Sequence, residues 1–405
     1  MRFFSHIDLR LFSSRRGEQR NGGQKIGLRC LRRSSIDFED YLERENGTMR
    51  RTVIVTIACF ALYVCLFILA STTARGATVA EVVEKVKSLK QKEKLDYLAK
   101  GAQAEGELVY YGTLPIDEFL PLAKVFNARY RALALQHYFS PRQGILNRAL
   151  TEARAGRHAV DVIQVDLSYG YQLMNDSLVQ PYMIAGRERF YDGTYDTSGY
   201  WHSMYHLTTA LIYNTSSVKA DQAPKSYQDL LSPAWKSKML FDPEAGYILA
   251  AMEEAWGREK AVDYLTKLSK QDISYRRGGT LTTQVVTSGE YPLGIAINGE
   301  TSAAIRDKGA PLGFRVLSPK IVKPEGLFLA KNAPHPHATL LFAEWVLSEE
   351  AQSFLATTLG KGSAMKGVRS KYKEFQLQPD YVVTPKLGPK LQAYIQVFAK
   401  IMNVP

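Results

Sequence analysis

The spacing of apolar positions changes several times along the chain, and each change predicts a different kind of element. Residues 52–69 run without a charged side chain, apolar on every face, which a half-exposed surface helix is not. Over residues 79–100 the apolar positions fall at Val79, Val82, Val83, Val86 and Leu89, the stripe of a single amphipathic helix. Short apolar runs then alternate with helical patterns. Strands are predicted over 107–111, 131–139 and 158–165, and helices over 115–129, 143–155 and from Ser168. Residues 191–214 are aromatic and β-prone, the composition of extended crossing segments. A second alternating set follows, with strands over 239–241, 273–276 and 292–297 and helices over 247–256, 258–269, 281–288 and 301–308. Extended segments at 313–317 and 327–331 bring the chain back, and one long helix is predicted over 337–355.

Strand alternating with helix at this spacing means βαβ units and a mostly parallel sheet. The expected class is therefore α/β, in two lobes with a ligand cleft between them. Residues 77–205 form the first part of lobe 1, 206–315 form lobe 2, and 316–405 return to lobe 1 and supply C-terminal helices.

Composition changes this picture mainly at the beginning of the chain. Met49 is followed by Arg50 and Arg51, then by the uncharged run, then by small residues that include Ala74 and Gly76. That is the grammar of a secretory signal peptide, so residues 49–76 are read as a signal peptide or, if retained, a membrane anchor of near-minimal length. Residues 1–48, arginine-rich and without sustained periodicity, are read as a disordered or mis-assigned extension upstream of a start at Met49. The net charge is +12, but residues 1–51 hold 12 basic against seven acidic side chains, so much of the excess lies outside the exported part. No basic cluster interleaved with stacking aromatics follows, which points away from nucleic acid. All three cysteines, Cys30, Cys59 and Cys65, precede Gly76. The exported part is left without thiol catalysis, cysteine metal sites or disulfides.

Candidate chemistry is sought where such sheets bind ligands, beyond the carboxyl ends of the strands and at helix N-termini with free amides. In the first lobe this selects Tyr111 and Thr113 after the first strand and Asp166 and Ser168 after the third. Tyr205 is a candidate wall from the crossing segment. The second lobe offers Glu244 and Gly246, then Arg277, Gly279 and Thr280, and Asn298. His202 and His206 have a metal-ligand spacing only on a helix, and the aromatic context predicts a strand, so they are read as structural. His335 and His337 are expected at the surface. The sequence has no G-x-S-x-G elbow and no H-E-x-x-H pair, the two motifs that would assign a hydrolase mechanism.

Several segments carry a family resemblance. Residues 211–215 (LIYNT), 223–236 (APKSYQDLLSPAWK), 332–338 (NAPHPHA) and 345–352 (WVLSEEAQ) resemble the extracellular solute-binding proteins of ABC transporters, in the branch that includes the ferric-binding proteins. Residues 224–231 within them make a loop and a helix start with Ser226 as N-cap. The resemblance implies a type II periplasmic-binding-protein fold preceded by the signal or anchor helix. It implies a monomer that closes on a small molecule or ion and docks on an ABC permease in the inner membrane, with periplasmic localisation and no cofactor. Ferric-binding members are similar to one another in a tyrosine pair late in the second lobe, and the matching positions here, 297–300, hold no tyrosine. The pair Tyr110 and Tyr111 lies on a strand, where neighbours point to opposite faces. The resemblance therefore implies an organic or oxyanionic solute, with Fe(III) as the alternative transported ligand. A membrane-anchored sensor or an enzyme on the same fold are the alternatives of another class.

Overall fold

The computed structural model describes residues 76–404 apart from 132 and 377. The expected extension and signal segment lie outside the described residues. Among the described residues no helix is long and apolar enough to cross a membrane.

The described chain begins with α1 (Val79–Lys87), opened by a capping box between Thr78 and Glu81, and α2 (Gln91–Glu105). The single helix expected over 79–100 is thus two. Ser88 ends the first with its amide on the Val86 carbonyl, and Lys90 is extended. The break lets buried Lys94 on the second helix reach Glu344 at 2.7 Å. Gly106, at φ 80°, turns the chain from α2 into β1 (Glu107–Gly112). There follow α3 (Ile116–Arg129), β2 (Ala134–Phe139), α4 (Arg142–Arg154), β3 (Val162–Asp166) and α5 (Leu167–Asn175). Strands β1, β2 and β3 pair in parallel, as the alternation predicted.

The crossing segment becomes β4 (His202–Asn214), thirteen residues and all of them buried. It is followed by β5 (Met239–Phe241), α6 (Gly246–Trp256), α7 (Arg258–Ser269), β6 (Ser274–Tyr275), α8 (Gly279–Ser288), β7 (Leu293–Asn298), α9 (Gly299–Asp307) and β8 (Leu312–Arg315). The returning strand is longer than its apolar tail suggested: β9 spans Ile321–Leu329 and is buried throughout, including Lys323 and Glu325. Last come α10 (Pro336–Val346), α11 (Glu349–Thr357), β10 (Tyr381–Val382) and α12 (Gly388–Met402). The expected helix over 337–355 is interrupted at Ser348, whose hydroxyl accepts from the Ala351 amide and starts a new helix.

The strands run in the order β2-β1-β3-β9-β4-β7-β5-β6, with β10 on β9 and β8 on β4. Two apolar cores lie along this sheet. One gathers side chains from 79–207 and 327–368; the other gathers them from 211–321 and 383–402. Strands β4 and β9, antiparallel to each other, are the two that pass from one core to the other. The C-terminal helix α12 packs in the second core through Phe398 and Met402.

His335 and His337 are not surface residues. Each ring is mostly buried and paired with a carboxylate, His335 Nδ1 with Asp161 at 2.8 Å and His337 Nδ1 with Glu105 at 2.6 Å. The same carboxylates accept backbone amides at the start of α10, from His335 at 2.9 Å and from Ala338 at 2.8 Å. Ser226 accepts from the Asp229 amide at 3.2 Å and caps a short 3-10 turn, Gln228–Leu231, rather than an α-helix.

Candidate functional site

The ends of β2 and β3 in the first lobe and of β5 in the second face one small cavity of about 20 Å³, room for about one water. Arg142, at the start of α4, enters it from the first lobe, and so do Asp166, Ser168 and Tyr169. The second lobe supplies Asp242, Glu244 and Tyr247, and β9 supplies Lys323. The remaining wall is Val383, Leu391 and Ile395, from the segment that leads into α12 and from that helix itself.

Register explains why charges lie on the crossing strands. Tyr205 stands opposite Glu325 and Leu207 opposite Lys323, so these side chains share one face of the sheet. Glu325 and Lys323 are each 6% exposed, a costly placement unless the charge is partnered. Glu325 accepts from Thr113 Oγ1 at 3.2 Å and from the Gln164 amide, whose Oε1 in turn accepts from Tyr110 at 3.1 Å. Burial pushes the Glu325 acid up, the Asp166 charge adds to this, and Arg142 and Lys323 oppose it. Lys323 Nζ lies 4.8 Å from the centre of the Tyr247 ring, a cation–π distance. Burial pulls the Arg142 guanidinium down, but Asp166, Tyr169, Glu325 and Asp242 outweigh it and hold it firmly charged. Its guanidinium carbon is 5.6 Å from the Tyr169 ring centre.

Residues 122–381 match the family described as bacterial extracellular solute-binding protein. The chain belongs to this family. Among curated relatives of this solute-binding protein, Iron uptake protein A1 of Synechocystis is 24% identical over 282 residues, covering 64% of this chain and 76% of the relative. Among solved structures, the substrate binding protein of an ABC transporter from Agrobacterium tumefaciens superposes with a TM-score of 0.65 at 14% identity, over 74% of this chain and 96% of that one. AfuA of Actinobacillus pleuropneumoniae, with exogenous fructose-6-phosphate bound, gives a TM-score of 0.63 at 19% identity, over 74% and 99%. The expected two-lobed type II periplasmic-binding-protein fold is the fold of these neighbours.

Within the solute-binding protein, three of the residues singled out in the sequence meet at the cavity. Asp166 is the N-cap of α5 and accepts from the Ser168 amide at 2.9 Å and from its hydroxyl. Glu244 lies 3.3 Å from Arg277, whose side chain is 76% exposed. Thr113 and Tyr205 sit on the buried floor beside Glu325. The others go elsewhere. Tyr111 donates to Glu152 on α4 at 2.9 Å, while Tyr110 donates to Gln164, so the pair does point to opposite faces. Gly246 serves packing: a Cβ there would lie 2.6 Å from the Ile395 nitrogen of α12. Gly279 and exposed Thr280 open α8 without lining the cavity. Asn298 ends β7 with its Oδ1 buried and unpartnered. His202 and His206 lie on β4 with both rings driven down to about 4 by burial, and His206 Nε2 is 3.2 Å from the Phe375 carbonyl.

Arg142, Tyr169, Asp242, Tyr247, Lys323 and Glu325 escaped the sequence reading. Arg142 and Asp242 each stand just past a strand end, so the strand-end rule applied to every strand would have found them. Lys323 and Glu325 carried another signal, two charges inside a stretch that is otherwise apolar. A larger groove of about 570 Å³ runs between α1 and residues 180–185, but it is lined from the first lobe alone.

Proposed function

We propose that this protein is the substrate-binding component of an ABC-type importer, that it captures a small organic or oxyanionic solute in the cavity between its lobes, and that it delivers the solute to a permease in the inner membrane. One observation carries this reading: charged side chains from both lobes and from a crossing strand converge on a single cavity. A solute contacting both sets stabilises the closed arrangement over an open one, and the permease reads that difference. The protein acts as an exported monomer in the periplasm, in keeping with the extracellular family to which it belongs.

The names of relatives favour iron, and the residues favour an organic solute or oxyanion. Asn298, Gly299 and Glu300 stand where a tyrosine pair would be needed. Of the two tyrosines at the cavity, Tyr247 is already donating to the Ala296 carbonyl at 3.2 Å. Among the described residues no three His, Cys, Asp or Glu side chains are grouped to hold a metal ion. Arg142 and Lys323 supply the cations that an acidic solute requires.

The test is a thermal-shift screen against ferric citrate, carboxylates, phosphonates, polyamines and sugars. A true ligand at a hundredfold excess over Kd adds about 2.7 kcal/mol of stability, a rise of several degrees. Arg142→Ala should remove most of that rise. If the rise survives the substitution, the solute binds elsewhere.

A further inference from the structure

The cavity has two kinds of wall, and the second has no role in holding a charged group. Arg142, Asp166 and Lys323 present both signs of charge on one side. Opposite them stand Val383, Leu391 and Ile395, three aliphatic side chains from the C-terminal segment. Leu391 and Ile395 are only half-buried and so retain apolar surface to cover.

This aliphatic wall is held in place firmly. Strand β10 pairs with β9 at Tyr381 and Val382, immediately before Val383. Beyond the wall, Phe398 is fully buried and meets the Phe241 ring edge-on at 5.2 Å. Tyr275 donates to the Met402 carbonyl at 2.6 Å, and Tyr394 donates to Glu253 at 2.9 Å. The absent side chain of Gly246 lets the helix backbone at Ile395 approach α6, where any Cβ would fall 2.6 Å from the Ile395 nitrogen. A helix fixed at so many points presents the same apolar surface each time the lobes close.

We infer that the solute is a zwitterionic organic molecule carrying an apolar chain, its charged groups among Arg142, Lys323 and the carboxylates and its chain against Leu391 and Ile395. The inference rests on the cavity being the solute site, as proposed above. An inorganic oxyanion or a bare metal ion would satisfy the polar side and leave the aliphatic side facing water. Covering it is favourable in proportion to the apolar area removed from water, about threefold to fourfold in affinity per buried methylene.

The experiment titrates the full chain by calorimetry with straight-chain 2-amino acids from alanine to norleucine, with inorganic phosphate and with ferric citrate. Affinity should rise about threefold to fourfold per methylene along the series, and Leu391→Asn should flatten that rise while alanine still binds. Leu391→Ala is run beside it, and both variants are first checked for a ligand-free Tm close to the unmodified protein. Binding that disappears in Arg142→Ala yet ignores chain length and Leu391, or that is strongest for phosphate or ferric citrate, overturns the aliphatic wall and leaves the cavity as the site. Binding of any probe that survives Arg142→Ala overturns the site itself. No binding across the amino-acid series at millimolar concentration also overturns the inference.

Discussion

Glu300 is 1% exposed, and its two oxygens accept the Thr208 amide of β4 at 2.9 and 2.7 Å. Burial nonetheless dominates and pushes its acid up to about 7 from an ordinary 4.5. Between those two values the folded chain holds the proton more tightly than the unfolded chain, so stability falls as pH rises through that window. Glu300→Gln should remove the slope, adding about 2 kcal/mol at pH 8 and little at pH 4. Urea denaturation at several pH values checks this, and an unchanged slope would assign it to another group. At this scale sequence reading worked where one rule applied. Asp166, Ser168 and Glu244 follow strand ends and do line the cavity. Lys323 and Glu325 were missed because their meaning comes from pairing across β4 and β9, and register is fixed by residues more than a hundred positions away. The role of Gly246 was hidden for the same reason, since the backbone it admits belongs to a helix at the far end of the chain.

Among the elements, α10 shows a helix whose first turn is completed by other elements. Asp161, fully buried, accepts the amides of Val109 at 2.7 Å and His335 at 2.9 Å and pairs with the His335 ring. Burial raises the Asp161 acid, whereas the bond to Asp161 raises the His335 ring. The two shifts fit one proton-sharing contact in which the buried member gives up some of its usual acidity. Asp161→Asn keeps the shape but loses the charge-assisted bonds, and it should cost about 3 kcal/mol, read as a lower midpoint in chemical denaturation. Periodicity located nearly every strand and helix of the described chain to within a few residues. It could not show the breaks at Ser88 and Ser348, because the apolar stripe continues across both. What divides those helices is the partner each half packs against, and spacing alone does not carry that information.

At the scale of the whole molecule, α12 belongs to the second lobe and meets the first at its opening turn. Gly388 lies so close to α5 that a Cβ there would be 2.4 Å from the Tyr171 Cβ and 2.9 Å from the Ser168 carbonyl oxygen. Its backbone is ordinary right-handed helix, φ −47° and ψ −52°, so a larger side chain would create crowding without backbone strain. Gly388→Leu should push α5 and α12 apart, favour an open arrangement and weaken solute capture about tenfold, equivalent to about 1.4 kcal/mol. Small-angle scattering would register the wider form, and an unchanged profile with unchanged affinity would rule this contact out as a clasp. The clasp joins a bare α-carbon to a tyrosine side chain and a carbonyl, none of which carries a formal charge. Dissolved salt screens the charges around Arg142 and Lys323 and leaves such a contact largely untouched. Ionic strength would therefore tune how strongly the protein grips a charged cargo, while the tendency of its two halves to stay together remains the same.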